Sequence, residues 1–182
     1  MKHDFKFVSK HSPQVREAYD NLQELLGEVH RDLRRHYTFE HRPVGSYSRN
    51  MMTCDSRSNV GFDFDINIYP NDDDNEFSAK QIKSLFKASL DRFSQRCGFD
   101  DGKEHQEYIR FNKKQNSYEW TERSPAFYAR SERYEQLVDE GLKEELKEVY
   151  LQKKNHNDDE NKRSCSLFAE AINECYMRYI AE

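Results

Sequence analysis

Two aspartates spaced i, i+2, Asp63 and Asp65, alternate with Phe62, Phe64, Ile66 and Ile68 in the run from Gly61 to Tyr69. A strand repeats every second residue. This spacing therefore puts both carboxylates, with Asn67, on one face and the apolar side chains on the other. Paired carboxylates suit a hard cation, because Mg²⁺ is held by one or two carboxylates together with substrate phosphate oxygens. Upstream, Gly45-Ser46 closes a second strand-like run, Tyr37 to Val44. A Gly-Ser turn offers backbone N–H groups, a hydroxyl and close approach of the chain, which are the parts of a polyphosphate cradle. The chemistry these parts could do together is phosphoryl or nucleotidyl transfer.

Blander readings compete for the same residues. Asp-x-Asp-x-Asn also opens an EF-hand loop, but Ile68 stands at the sixth position, where that loop needs glycine. An isolated Asp-x-Asp is more often the solvated face of an edge strand than a metal site. The seven histidines contain no i, i+4 pair that would suggest a metal-binding helix. Lys80, Lys83 and Lys87 read as a solvated helix face, and Lys153 and Lys154 as cations at a helix C-terminus. Tyr118 and Trp120 read as cross-strand or core residues rather than a base-stacking platform.

The elements that must position the pair follow from periodicity. Ser12-Pro13 marks a helix start, and Val15, Ala18, Tyr19, Leu22, Leu25, Leu26, Val29 and Leu33 make one apolar face running to about Arg35. Phe5 and Phe7 give a weak edge-strand signal before it. The polar stretch from Thr53 to Asn59 reads as a loop, as does the acidic run from Pro70 to Glu76. Ser78 starts a second helix through Ile82, Leu85, Phe86, Leu90 and Phe93 to about Arg96, with Gly98 as its stop. Beyond a polar connector at 100–106, residues 108–111 and 118–120 read as a hairpin. A helical stretch from Ser131 to about Lys154 is interrupted at Gly141, and a last helix spans Ser164 to Tyr179 with Leu167, Phe168, Ala171, Ile172 and Cys175 on one face.

Composition bounds the rest. The chain has 182 residues, which is room for one domain. Leu, Ile, Val and Phe make up only about a fifth of it, near the range where disorder is suspected. Twenty-nine basic residues nearly cancel 34 acidic ones to give a net charge of −5, and aromatics reach 13%. A folded, very polar protein with an aromatic-weighted core is expected, since each large ring can bury ~150–250 Å². No apolar run approaches the length of a membrane span, and the N-terminus carries no signal-like hydrophobic stretch. Four cysteines without C-x-x-C spacing fit free thiols and a cytoplasmic location. A pI of about 5.8 argues against general coating of nucleic acid.

With these residues in place, the chain resembles the DNA polymerase β-like nucleotidyltransferase superfamily. Val44-Gly45-Ser46 and Asp63-Phe64-Asp65-Ile66 match its pattern of an apolar residue, Gly-Ser, a spacer and Asp-apolar-Asp-apolar. Gly45-Ser46-Tyr47-Ser48-Arg49 is similar to the branch containing oligoadenylate synthetases and bacterial CD-NTases, in which a long helix precedes the Gly-Ser strand. Residues 150–154 and 164–170 are similar to that branch's lysine-bearing helix and serine-started helix. The resemblance implies an α+β nucleotidyltransferase fold, a small mixed sheet flanked by helices, in one domain over 1–182. Residues 1–96 would form the catalytic core, and 97–182 the hairpin and C-terminal helices. It further implies a nucleoside triphosphate substrate, Mg²⁺ or Mn²⁺ held by Asp63 and Asp65, and nucleotide contacts from Gly45, Ser46, Arg49, Lys154, Ser164 and Ser166.

Two departures from the family pattern bear on activity. Sixteen residues separate Ser46 from Asp63, so 53–59 reads as an extra loop. The family's third carboxylate sits on a strand after the second helix, and here the interval before residue 108 is barely a connector. Either Glu107 substitutes, or the chain is shortened at about 98–107 and that strand is lacking. The expected activity is nucleotidyl transfer from a triphosphate to a hydroxyl acceptor. The alternative is a catalytically silent nucleotide- or protein-binding module of the same fold, including the toxin–antitoxin type.

Overall fold

The structure, a computed structural model, describes residues 3–57, 61–72, 76–93, 125–159 and 162–181. Within them the chain is mixed α+β: four strands form two separate two-stranded sheets, with helices around them. The expected single mixed sheet is thus two smaller ones. The chain divides into two compact units. One contains Val8–Met52 and Asp63–Trp120, and the other contains Met1–Phe7, Thr53–Phe62 and Thr121–Glu182.

The first unit is built on the two amphipathic helices. Helix α1 (Pro13–Leu33) starts where Ser12 keeps extended backbone and Pro13, with no N–H to leave unsatisfied, takes the first helical position. Its three-and-four spacing buries Val15, Leu25, Leu26, Val29 and Leu33 on one face. Strand β2 (Thr38–Val44) pairs antiparallel with β4 (Asp65–Asn71), in a register running from Thr38↔Asn71 to Val44↔Asp65. Between these strands in sequence lie a short helix, α2 (Gly45–Arg49), and strand β3 (Met52–Asp55).

Helix α3 (Ala79–Phe93) opens with a reciprocal cap. The Ser78 N–H donates to Gln81 Oε1 at 2.9 Å, and the Gln81 N–H reaches back to Ser78 Oγ at 3.4 Å. Leu25, Leu26, Val29 and Leu33 of α1 share a core with Tyr37, Phe39 and α3's Ile82, Phe86 and Leu90, and Ile66 and Ile68 of β4 pack against it. Phe39 and Phe86 meet edge to face at 5.2 Å, the geometry aromatic quadrupoles favour. Truncating one of these large side chains to alanine costs ~2–5 kcal/mol by loss of transfer energy and cavity formation. At the rim, Arg92 grips Asp32 through two bonds of 2.7 and 2.8 Å, tying α3 to α1.

The second unit holds the paired strands β1 (Phe5–Val8) and β3, save their end residues Val8 and Met52, and three helices: α4 (Pro125–Asp139), α5 (Lys143–Asn155) and α6 (Ser164–Tyr179). The break between α4 and α5 falls at Gly141, as its sequence position suggests. Gly141 has φ of +75°, and the bonds Leu142 N–H to Leu137 O and Gly141 N–H to Val138 O close α4 as a Schellman motif. Leu137, Leu146, Val149, Tyr150, Leu167, Ala171, Ile172 and Cys175 are buried there.

Several sequence expectations need correction. The stretch read as a loop from Thr53 to Asn59 begins as strand β3, with Thr53 and Asp55 buried. Its polar side chains can be buried because they are satisfied internally. Asp55 accepts from the backbone N–H groups of Asp4 and Arg57 at 2.9 and 3.0 Å and pairs with His3 Nδ1 at 2.9 Å. The aspartate-bearing strand begins at Asp65 rather than Gly61. Its partner β2 ends at Val44, so the residues before Asp65 have no ladder to join. The connector at 100–106, the hairpin at 108–120, Gly98 and the proposed shortening at 98–107 lie outside the described residues.

Candidate functional site

The Gly-Ser and Asp-x-Asp motifs meet because of the β2–β4 register. Val44 and Asp65 are the last paired residues, and immediately afterwards Gly45, at φ of +65°, turns the chain into α2. That left-handed backbone suits glycine, and the space beside it requires glycine too. A Cβ at position 45 would collide with Asp65 Oδ2 and would lie 2.9 Å from its Cγ and 3.0 Å from its Cβ. The Asp65 carboxylate therefore rests directly on the Gly45 backbone.

Helix α2 is closed at its other end by Asn50, whose left-handed φ of 54° stops the helix and whose Oδ1 accepts from the Lys10 N–H at 3.1 Å. Inside α2, the Ser48 hydroxyl is spent on Gly45 O at 3.0 Å. The Ser46 hydroxyl, half-buried, makes no side-chain hydrogen bond among the described residues.

The electrostatics of the pair set burial and like charge against one nearby guanidinium. Burial of its carboxyl group against Gly45 raises the Asp65 pKa above the ordinary carboxylate value, and the neighbouring Asp63 raises it further. The Arg49 guanidinium pulls it the other way. Asp63 is exposed just ahead of β4, and the alternation of exposed aspartates with half-buried Phe62, Phe64 and Ile66 persists although Asp63 lies outside the strand. Two carboxylates in one another's field, one partly desolvated, fit the donor set of a hard divalent cation. Among the described residues, no third His, Cys, Asp or Glu joins them in a cluster able to hold a metal ion. Glu107, the sequence candidate for that role, lies outside the described residues.

Gly45, Ser46, Arg49, Asp63 and Asp65 thus all fall in the unit built on α1 and α3. Lys154, Ser164 and Ser166 fall in the other. Lys154 is buried, donates to Thr53 Oγ1 at 2.6 Å and sits 4.1 Å above the Phe5 ring. Lys153 pairs with Glu174 at 2.8 Å. Ser164 and Ser166 are exposed in the first turn of α6, and the Ser166 N–H donates to Arg163 O at 2.9 Å.

Three rings adjoin the pair. Tyr19 of α1 stacks on Tyr47 of α2, and both touch Phe64, the residue between the aspartates. In the sequence Tyr19 reads as one more member of the α1 apolar stripe, and nothing in its spacing separates it from core residues. Among the described residues no helix is long and apolar enough to cross a membrane. Comparison with protein-family models, curated proteins and solved structures finds no match.

Proposed function

We propose that Gly45, Ser46, Asp63 and Asp65 form a Mg²⁺–nucleoside triphosphate site of a nucleotidyltransferase-type domain. The observation that carries this reading is the seating of the Asp65 carboxylate on Gly45, beside Asp63. It joins a phosphate-cradling turn and a cation-binding carboxylate pair that are remote in sequence. Asp63 and Asp65 would hold Mg²⁺, whose charge when bound neutralises phosphate oxygens and lowers the pKa of a coordinated hydroxyl. The Ser46 hydroxyl, without a side-chain partner among the described residues, would donate to a phosphate oxygen. Arg49, whose field already reaches Asp65, would offset negative charge on the triphosphate.

The reaction this site would serve is attack by an acceptor hydroxyl on the α-phosphorus, with pyrophosphate leaving. A silent nucleotide-binding module is the second reading. It differs from the enzyme in one part: hydroxyl activation needs a further carboxylate, for which Glu107 is the candidate, while nucleotide binding does not. Incubating the protein with each labelled triphosphate and Mg²⁺ or Mn²⁺, alongside Asp63→Ala and Asp65→Ala, separates the possibilities. Metal-dependent binding and pyrophosphate release, both lost in the variants, are expected for the enzyme. Binding without release identifies the silent module. Equal binding by all three proteins sinks the assignment.

A further inference from the structure

We infer that Tyr19 is a positioning residue for the Asp63–Asp65 pair, acting from α1 through a three-ring cluster with Tyr47 and Phe64. The inference rests on the cation-binding reading of that pair. Tyr19 and Tyr47 lie nearly parallel, 19° apart with centroids at 4.6 Å, so the first ring holds α2. Tyr19 also meets Phe64 at 5.6 Å, and Tyr47 meets Phe64 edge-on at 5.1 Å. A single side chain of α1 therefore touches both halves of the site: the helix that carries Ser46, and the residue between the two aspartates.

The β2–β4 ladder ends at Val44↔Asp65, and the Tyr19 and Tyr47 rings meet Phe64 one residue beyond that end. α1 is a rigid place from which to do this, since Leu22, Leu25 and Leu26, beginning three residues on, join the core. Neither the Tyr19 nor the Tyr47 hydroxyl makes a hydrogen bond among the described residues, which assigns the work to the rings. Partial desolvation raises the Tyr47 pKa, and the charges of Tyr19 and Asp20 raise it further.

The test uses the full chain with Mn²⁺ as probe, its binding followed by electron paramagnetic resonance. Amide hydrogen exchange is followed in parallel over residues 44–50 and 61–66. Tyr19→Ala is expected to weaken Mn²⁺ binding about three- to tenfold, the scale of lost aromatic contacts. It should also speed exchange in both segments while α1 stays protected. Tyr19→Phe should restore both to wild-type values. Asp32→Asn, which loosens the Arg92 bridge on the far part of α1, should lower stability and leave Mn²⁺ affinity unchanged. Tyr19→Ala with wild-type Mn²⁺ affinity, or with unchanged exchange in both segments, overturns the proposal. A wild-type protein that binds no Mn²⁺ overturns the cation reading itself. Exchange in the two segments then decides separately whether Tyr19 holds them.

Discussion

The Asp65 carboxylate occupies the place where a side chain at residue 45 would lie. Gly45 and Asp65 are adjacent because Val44 and Asp65 close the β2–β4 ladder, and the left-handed turn at Gly45 leaves no Cβ between them. A turn that needs glycine and a carboxylate that needs a seat are thus one structural fact. Gly45→Ala tests it directly. Alanine would have to adopt φ near +65° and displace Asp65, for a stability loss of about 1–3 kcal/mol. Denaturant unfolding measures the loss, and triphosphate binding should fall with it. An alanine variant as stable as the wild type would show that the seat yields without strain.

Asp65→Asn should change stability in a pH-dependent sense fixed by the raised pKa. A carboxyl whose folded pKa lies above the unfolded value stabilises the fold below that value, 3.8, and the contribution is lost as pH rises through the folded pKa. At neutral pH the ionised group is therefore a burden, set by its burial and by Asp63. Asp65→Asn should melt higher than the wild type at pH 7 without metal, and the advantage should vanish below pH 3.8. Added Mg²⁺ should raise the melting temperature of the wild type more than that of the variant. A variant that melts lower at pH 7 and equally at acid pH contradicts the assignment.

Tyr37 makes a second pH-dependent contribution, at the alkaline end. Its ring is buried, its hydroxyl donates to Ile82 O at 3.0 Å, and burial pushes its pKa up to about 12. The folded protein keeps this proton where the unfolded chain releases it at 10, so the contribution is complete below pH 10 and is lost as pH climbs through about 12. The loss is on the order of 2–3 kcal/mol. Tyr37→Phe should cost about 1 kcal/mol at pH 7 for the missing bond. Between pH 10 and about 12 it should show a flatter stability curve than the wild type. Identical alkaline slopes would remove Tyr37 as the cause.

Which parts of this architecture could be read in advance depends on where each polar group finds its partner. α1, α3 and the last helix were legible because their apolar faces recur at helical spacing and their starts carry Ser-Pro, Ser-x-x-Gln or a polar break. The Gly-Ser and Asp-x-Asp motifs were legible from turn chemistry and alternation. β3 was not, since Thr53 and Asp55 look solvated until Lys154, His3 and the Asp4 amide are seen to satisfy them across long sequence separations, with the nearby Arg57 amide adding a local bond. Tyr19 was hidden for the opposite reason: an aromatic on an apolar stripe carries no mark of reaching past the core to Tyr47 and Phe64.

Lys154 shows how a single residue can be read two ways, and a double-mutant cycle separates them. The family resemblance makes it a triphosphate contact, whereas its ammonium donates to Thr53 Oγ1 at 2.6 Å and lies 4.1 Å above Phe5 and 5.7 Å from Tyr150. A bond from a charged donor is worth about 1.5–3 kcal/mol, more than a neutral pair, because the charge strengthens it, and losing the partner leaves a buried ammonium unsatisfied. Lys154→Met and Thr53→Val should each destabilise the protein. The double variant should lose less than the sum of the two, by a coupling of about 1–3 kcal/mol. Additive losses would show that the 2.6 Å contact contributes nothing to stability. Triphosphate titration of the same variants reads the other role. Affinity that falls in Lys154→Met but holds in Thr53→Val assigns the ammonium to the nucleotide. Equal affinity in both leaves it a fold residue whose charge is held inside by Thr53 and the rings of Phe5 and Tyr150.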